Sequence, residues 1–427
     1  MEDRTKIDNI DKLGQFIKPI PNEGIYWLEL INCEIILEIS LYDIVNHFNK
    51  SITKCHFWNC IFKENVEIQL CDFNSDAKTI FEKEVRIMSS YFSDEENVTM
   101  RIGGNFRNKL TVDNIHFRLL HINAKINKEL QITNCTIQNF TYVTDKENKR
   151  IFFENCWFKC YIDFSKRQFN EIGIYDSKFD EAVNFYNAVF KGDAEFIAVH
   201  LNTDLYFQGA IFEKKLILNN ITIPNILSLN SATIEWIRIE NVYFSGQPLN
   251  MANIIVKKVA DKETARFLKH EAIKRHDNIA SIEFNVKEMN KYWIEVRGKE
   301  KCELDKNGEK REKCRCSEFI LLTLNLLSNK YGKSWTRGIL FTFTVWILFF
   351  GIFVMIRDGI GGTFIFCIPE LRKEAIEYFW LPNGIEGLFS KGINVCWSAI
   401  LFFFLGKIFI AYGIFQTISA FRKYGKI

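Results

Sequence analysis

Three cysteines stand within fifteen residues of one another, Cys302, Cys314 and Cys316, and a Cys-x-Cys pair with an earlier third thiol is the beginning of a thiolate metal site. No fourth ligand follows at finger-like spacing, and neither His270 nor His276 is near in sequence, so the stretch reads as a charged, reduced linker and no metal is expected. The two histidines lie six positions apart on a charged segment and read as solvated. The chain has no Gly-x-Ser-x-Gly, no His-Glu-x-x-His and no phosphate-binding glycine loop, which leaves no cofactor and argues against an enzyme.

Lys407 is the residue to single out, because it interrupts an otherwise uncharged run from Ile393 to Phe421. A charge inside a membrane span costs roughly 2.5–3.5 kcal/mol on insertion scales and by default marks a functional position. Two readings stay open: a functional group facing protein or water, or an ammonium that snorkels to the headgroups of the cytoplasmic face. In the same run Gly392, Ala399, Gly406, Gly413 and Ala420 recur every seven residues. Such a seam of small side chains admits a second helix at close range, either the other span or another copy of the chain.

That other span is Gly338 to Ile356, nineteen residues without a charge between Arg337 and Arg357. At ~1.5 Å per residue it reaches approximately across a ~30 Å hydrocarbon core. Transmembrane helices are expected at about 338–356 and 393–415. Lys and Arg are dense before the first and after the second, where Arg422, Lys423 and Lys426 follow. The positive-inside rule then places the chain in the inner (cytoplasmic) membrane with both termini cytoplasmic. The charged N-terminus shows no apolar signal segment.

Ahead of the spans the sequence repeats. Small or apolar residues recur about every eleven positions (Ala188, Ala198, Ala210, Ile221, Ala232, Val242), and two places after each come Phe190, His200, Phe212, Ile223, Ile234 and Phe244. Alternating pairs such as Ala194 and Phe196, or Leu216 and Leu218, fill the intervals as short half-buried strands would. A unit this small cannot bury its apolar side alone, so coils must stack into a solenoid with Phe190, Phe212, Ile223, Ile234 and Phe244 in its core. A right-handed parallel β-helix is expected, and an inward column of aromatics accounts for 40 Phe in 427 residues.

The same spacing appears more loosely upstream, with Cys55 and Phe57, Cys71 and Phe73, Cys135 and Ile137, Cys156 and Phe158. Small-x-Phe at these intervals resembles the pentapeptide-repeat and related β-helix families over about residues 50–245, which implies a solenoid and little about function. Eleven-residue units fit better than fives, so coils less regular than that family's square ones are expected. Thr264, Arg266 and Glu288 with Met289 look like the helical tail of membrane-bound pentapeptide-repeat proteins. Tyr331, Gly332, Ser334 and Trp335, with Ala420 to Tyr424, resemble bacterial members whose C-terminal part is similar to an ion-channel domain.

These readings divide the chain into an N-terminal cap (1–50, with strand-like alternation through residue 48), the β-helix (51–250), a helical cap (251–300), a charged linker with an interfacial amphipathic helix (301–337) and a membrane domain (338–427). The run TDKENK at 144–149 reads as a loop ejected from a coil, and the segment 357–392 as a connection without a folded domain of its own. Residues 1–250 hold 27 basic against 34 acidic side chains and residues 251–427 hold 28 against 18, too even a balance in the solenoid for a nucleic-acid mimic. The expected partners are membrane lipid and a protein, or a second copy through the second span, with no nucleic acid. The function expected is a membrane-anchored cytoplasmic β-helix acting as an interaction or sensing scaffold. The alternative is an oligomeric two-helix channel gated by the β-helix, although no Thr-Val-Gly-Tyr-Gly filter is present.

Overall fold

The computed structural model describes residues 4–19, 26–50, 52–69, 72–88, 98–143, 150–244, 249–300, 316–358, 369–382 and 397–424. Two compact units are present, Met1–Thr264 and Ala265–Ile427.

In the first unit a single register column runs Ile39, Val66, Val85, Leu110, Leu130, Ile151, Ile172, Ala194, Leu216, Ile237 and Val259, each paired in parallel with the next. All of them are buried. From Leu130 onward the steps are 21 or 22 residues, whereas before it they are 27, 19, 25 and 20. The chain is therefore a parallel β-solenoid, regular in its second half and looser in its first.

Other columns run beside this one: Ile162, Val183, Leu205, Leu227; Phe169, Phe190, Phe212, Ile234; and Phe158, Phe179, Leu201. From Phe158 onward the coils are four-sided and more regular than expected, while the first half keeps the looser steps that the sequence suggests. The eleven-residue period has a local cause. Left-handed corner residues stand at Asp176, Asn187, Ala198, Gly209, Asn220 and Ser231, eleven apart each time. Between them the inward positions step alternately by six and five, through Phe179, Phe185, Phe190, Phe196, Leu201, Phe207 and Phe212, all buried. Eleven is five plus six, and the left-handed corner falls within each five-residue step (Asn187 between Phe185 and Phe190, Ala198 between Phe196 and Leu201), a tight turn that asparagine and glycine adopt at least cost.

One assignment within the repeat shifts. Ala198 is itself a corner, with φ 56°, and His200 is exposed, so Val199 and Leu201 hold the two inward places. Phe190, Phe212, Ile223 and Ile234 are buried, while the side chain of Phe244 lies outside the described residues. Strands one rung apart, at ~4.8 Å, bring like side chains face to face. Phe190 and Phe212 stack with centroids 4.5 Å apart, and Phe158 and Phe179 at 4.9 Å.

At the N-terminal end the solenoid already includes Ile7, paired with Ile35. The expected strand alternation holds in Tyr26–Ile31 and Cys33–Ile35, with Leu28, Leu30 and Ile35 buried, and helix α1 (Leu41–Phe48) replaces it after Ser40. Ser40 caps it, accepting from Asp43 N, and Leu41 and Ile44 bury one face. The strand Ile17–Pro19 pairs antiparallel with Tyr26–Leu28 and so covers an edge that would otherwise stay open. The 144–149 loop lies outside the described residues.

The chain then turns helical: α2 (Lys262–Lys274), α3 (Asn278–Glu300), α4 (Cys316–Asn329), α5 (Trp335–Asp358), α6 (Pro369–Phe379) and α7 (Trp397–Tyr424). Helices α5 and α7 are long and apolar enough to cross a membrane. In the second unit α4 lays Phe319, Leu322 and Leu326 against Val286, Met289 and Trp293 of α3, and leaves Ile320, Leu321 and Leu327 exposed. The segment read as an interfacial helix thus has one face on the helical pair and one apolar face turned outward.

Candidate functional site

The small-residue seam of α7 meets α5 of the same chain. A Cβ at Gly413 would collide with Thr342 Oγ1, and one at Gly338 would lie 2.5 Å from Thr417 Oγ1. The contact is reciprocal, each helix offering Gly-x-x-x-Thr to the other. Each threonine hydroxyl donates to the carbonyl of its own helix's glycine, Thr342 to Gly338 O at 2.8 Å and Thr417 to Gly413 O at 2.9 Å. Glycine lets the backbones close, and the back-bonded hydroxyl keeps its polar hydrogen satisfied. Ala399 and Ala420 are fully buried. Gly392 lies outside the described residues.

Helix α6 is what the sequence reading lacked. Its signal was available: Pro369 at the first helical position, Glu370 in the first turn, and Ala375 and Tyr378 three apart on one face. Ala375 and Tyr378 pack among Phe350, Phe353, Val354, Ala399 and Phe403, and Trp346 Nε1 donates to Ala375 O at 2.9 Å. Arg357 and Glu374 pair at 2.8 Å. Tyr378 reaches α7 as well, its hydroxyl donating to Phe402 O at 3.1 Å and filling the space that a Cβ on Gly406 would need.

Lys407 sits beside that contact. Its Nζ donates to Trp380 O at 2.5 Å and lies 5.3 Å from the Phe403 ring centroid and 5.8 Å from that of Tyr378. Gly406, its neighbour, faces Phe349, near the middle of α5. The ammonium therefore serves the C-terminal end of α6, where unpaired carbonyls and the negative end of the helix dipole favour a cation.

A buried amide cluster ties α4 to α7. Asn329 Nδ2 donates to Gln416 O at 3.1 Å and Oε1 at 2.6 Å, and Gln416 Nε2 and Tyr412 OH both donate to Asn325 Oδ1. Asn329 also accepts from Gly332 N at 2.9 Å, at a turn where Lys330, Tyr331 and Gly332 all have positive φ. The motif around Tyr331 and Trp335 thus does structural work: Lys423 donates to Tyr331 O, Ser334 Oγ accepts from Arg337 N, and Trp335 stacks on Phe421 at 4.8 Å.

On the solenoid, Trp157, Lys159 and Tyr161 alternate outward along one coil. Trp157 and Tyr161 are exposed. Trp157 carries Lys159 at 4.1 Å and Lys178 of the next coil at 4.6 Å over its ring, and its Nε1 donates to Asp180 at 2.8 Å. Beside it a cleft of about 280 Å³ is lined by Asn134, Cys135, Asn155, Cys156, Trp157 and Lys178, among others. Cys302 and Cys314 lie outside the described residues, as does the side chain of Cys316.

A profile of pentapeptide repeats, in nine copies, matches residues 174–222. This is the stretch in which the inward positions step by five and six. No curated protein and no solved structure matches the chain.

Proposed function

We propose that this pentapeptide-repeat solenoid is a membrane-anchored interaction scaffold, tethered by α5 and α7 and presenting a protein-docking face centred on Trp157. The observation that carries the reading is the exposed Trp157, held rigid between two lysines and an aspartate and followed by exposed Tyr161. Aromatic anchors of this kind, beside a cleft and ringed by charge, have the composition of binding hot spots. The anchor itself is complete within one chain, since the seam of α7 is filled by Thr342 and Tyr378.

Orientation follows from charge. Trp335 and Phe421 are stacked, so the start of α5 and the end of α7 lie together, and Lys330, Lys333, Arg337, Arg422 and Lys423 surround that end in sequence. On the positive-inside rule this is the cytoplasmic face of an inner membrane. The exposed apolar strip of α4 is then available to the lipid interface.

The test uses the full chain in its own membrane. A photo-crosslinking residue at Trp157 is expected to trap one protein that the same residue at Lys128 does not, and Tyr161→Ala is expected to reduce the yield. Equal labelling from both positions would remove the docking face.

A second reading, an oligomeric two-helix channel, is favoured by α6. This helix of eleven residues, ~16 Å long at ~1.5 Å per residue, docks between the spans and ends at Lys407. Half-span helices whose ends aim at a pathway are a feature of conducting proteins. Vesicles containing the full chain are the discriminating system. Ion flux whose selectivity changes in Lys407→Glu supports the channel, and flux no greater than in empty vesicles supports the scaffold.

A further inference from the structure

Cys135 and Cys156 occupy the same corner of neighbouring coils. Thr133 pairs with Glu154 and Thr136 with Trp157, so the two cysteines between them are rung partners. Each follows a left-handed asparagine, Asn134 at φ 53° and Asn155 at φ 52°, and each thiol turns back on the carbonyl two residues before it, Cys135 on Thr133 O at 3.0 Å and Cys156 on Glu154 O at 3.4 Å. The side chains are thus presented alike, one rung apart. The rung spacing of ~4.8 Å lies inside the ~4.4–6.8 Å Cα separation that a disulfide spans. Both thiols are buried, in the small inward place that follows each corner, and both residues border the 280 Å³ cleft beside Trp157.

We propose that Cys135 and Cys156 form a peroxide-reactive dithiol site that closes to a disulfide joining two neighbouring coils. Cys156 is taken as the attacking thiol, since it adjoins Trp157 at the cleft, and Cys135 as the resolving one, its thiol kept protonated by burial. The Cys156 sulfur attacks one oxygen of a hydroperoxide and the O–O bond breaks. With hydrogen peroxide, hydroxide leaves with the Cys156 proton as water and Cys156 becomes a sulfenic acid. The Cys135 sulfur then attacks the Cys156 sulfur, the S–O bond breaks, and the second water departs with the Cys135 proton. Two thiols lose two electrons and two protons, and the peroxide is reduced to two waters.

The same arrangement occurs earlier, where Ile31 pairs with Trp58 and Glu34 with Ile61, making Cys33 and Cys60 rung partners. Cys55, by contrast, is buried between Leu28 and Phe73 on its neighbouring rungs. That supplies an internal comparison.

The full-length protein in detergent is treated with hydrogen peroxide, alkylated and mapped by mass spectrometry. Cys135 and Cys156 are expected to lose alkylation together, on the order of tenfold faster than Cys55, and to appear as a linked peptide pair released by a phosphine reductant. Cys135→Ser removes the resolving thiol, so a 1,3-diketone probe is then expected to trap Cys156 as its sulfenic acid. Serine already stands at the next rung, Ser177, where its Oγ accepts from Cys156 N at 3.1 Å, so the fold has room for it. Protection no faster than that of Cys55, or oxidation to sulfinic acid without a linked pair, would overturn the proposal, and the wild-type map alone reads either result.

Discussion

The two units hold themselves together in opposite ways. In the solenoid one solution recurs: an asparagine-like corner, a small or aliphatic inward residue, a polar outward residue and a large inward one, stacked on its own copy at each rung. In the helical unit the decisive contacts are particular pairs, and only the Gly–Thr contact has a counterpart. Gly413 meets Thr342, Gly406 meets Tyr378, Lys407 meets Trp380 O, and Asn329 meets Gln416. Repetition spreads stability over many equivalent rungs, while single contacts place it on particular residues.

That contrast is sharpest at Phe212, which is stacked on Phe190 and paired in register with Ile234. Phe212→Ala is expected to cost ~3–5 kcal/mol through lost burial and a cavity between rungs that the stacked backbone cannot close. Hydrogen exchange should show the loss confined to the neighbouring coils. Protection unchanged there would mean that the ring is not part of the core.

Gly413→Leu comes next. The side chain has to displace Thr342 from a contact already closed at the backbone, and overpacking of this kind costs ~1–3 kcal/mol or more. Here the effect is expected across the helical unit rather than in one coil, read as faster proteolysis between α5 and α7. Asn329→Ala should cost ~1–3 kcal/mol, because Gln416 loses its buried partner. It is also expected to loosen the turn at 330–332. If Asn329→Ala were neutral while Gly413→Leu was severe, the helical unit would rest on its seam alone.

The smallest expected effect is a pH dependence at Glu288. Burial raises its carboxyl's pKa, but Lys269 and Arg266 outweigh that and hold it below the ordinary carboxylate value. A lowered native pKa contributes stability that is full above the unfolded value and is lost as pH falls through the native one. The link between α2 and α3 should therefore weaken only in acid, and Glu288→Gln should remove that part of the acid sensitivity. An unchanged acid limb in the variant would assign it to other carboxylates.

Legibility in the sequence followed the same division. The period of eleven was readable because the inward residues from Phe179 to Phe212 repeat the same chemistry, although its meaning as five plus six was not, since the corner in each five-residue step from Asp176 to Ser231 is Asp, Asn, Ala, Gly or Ser and only its φ unites them. Ala198 and His200 were misplaced by one for that reason: an alanine at the corner mimics a small inward residue. In the helical unit Gly406 and Gly413 stood out as a row, but their partners did not, because Thr342, Tyr378 and Gln416 are distant in sequence and carry no period. Helix α6 was hidden by its charge, since Arg372, Lys373 and Glu374 masked a helix start that Pro369 announces.

The number of chains per particle in lipid nanodiscs, counted by native mass spectrometry on the full-length protein, tests the central claim most directly. An anchor completed by its own α5, α6 and α7 is expected to yield one chain per disc at every protein-to-lipid ratio. A stable ring of four or more chains, persisting on dilution, would contradict the self-contained anchor and give the channel reading its pore.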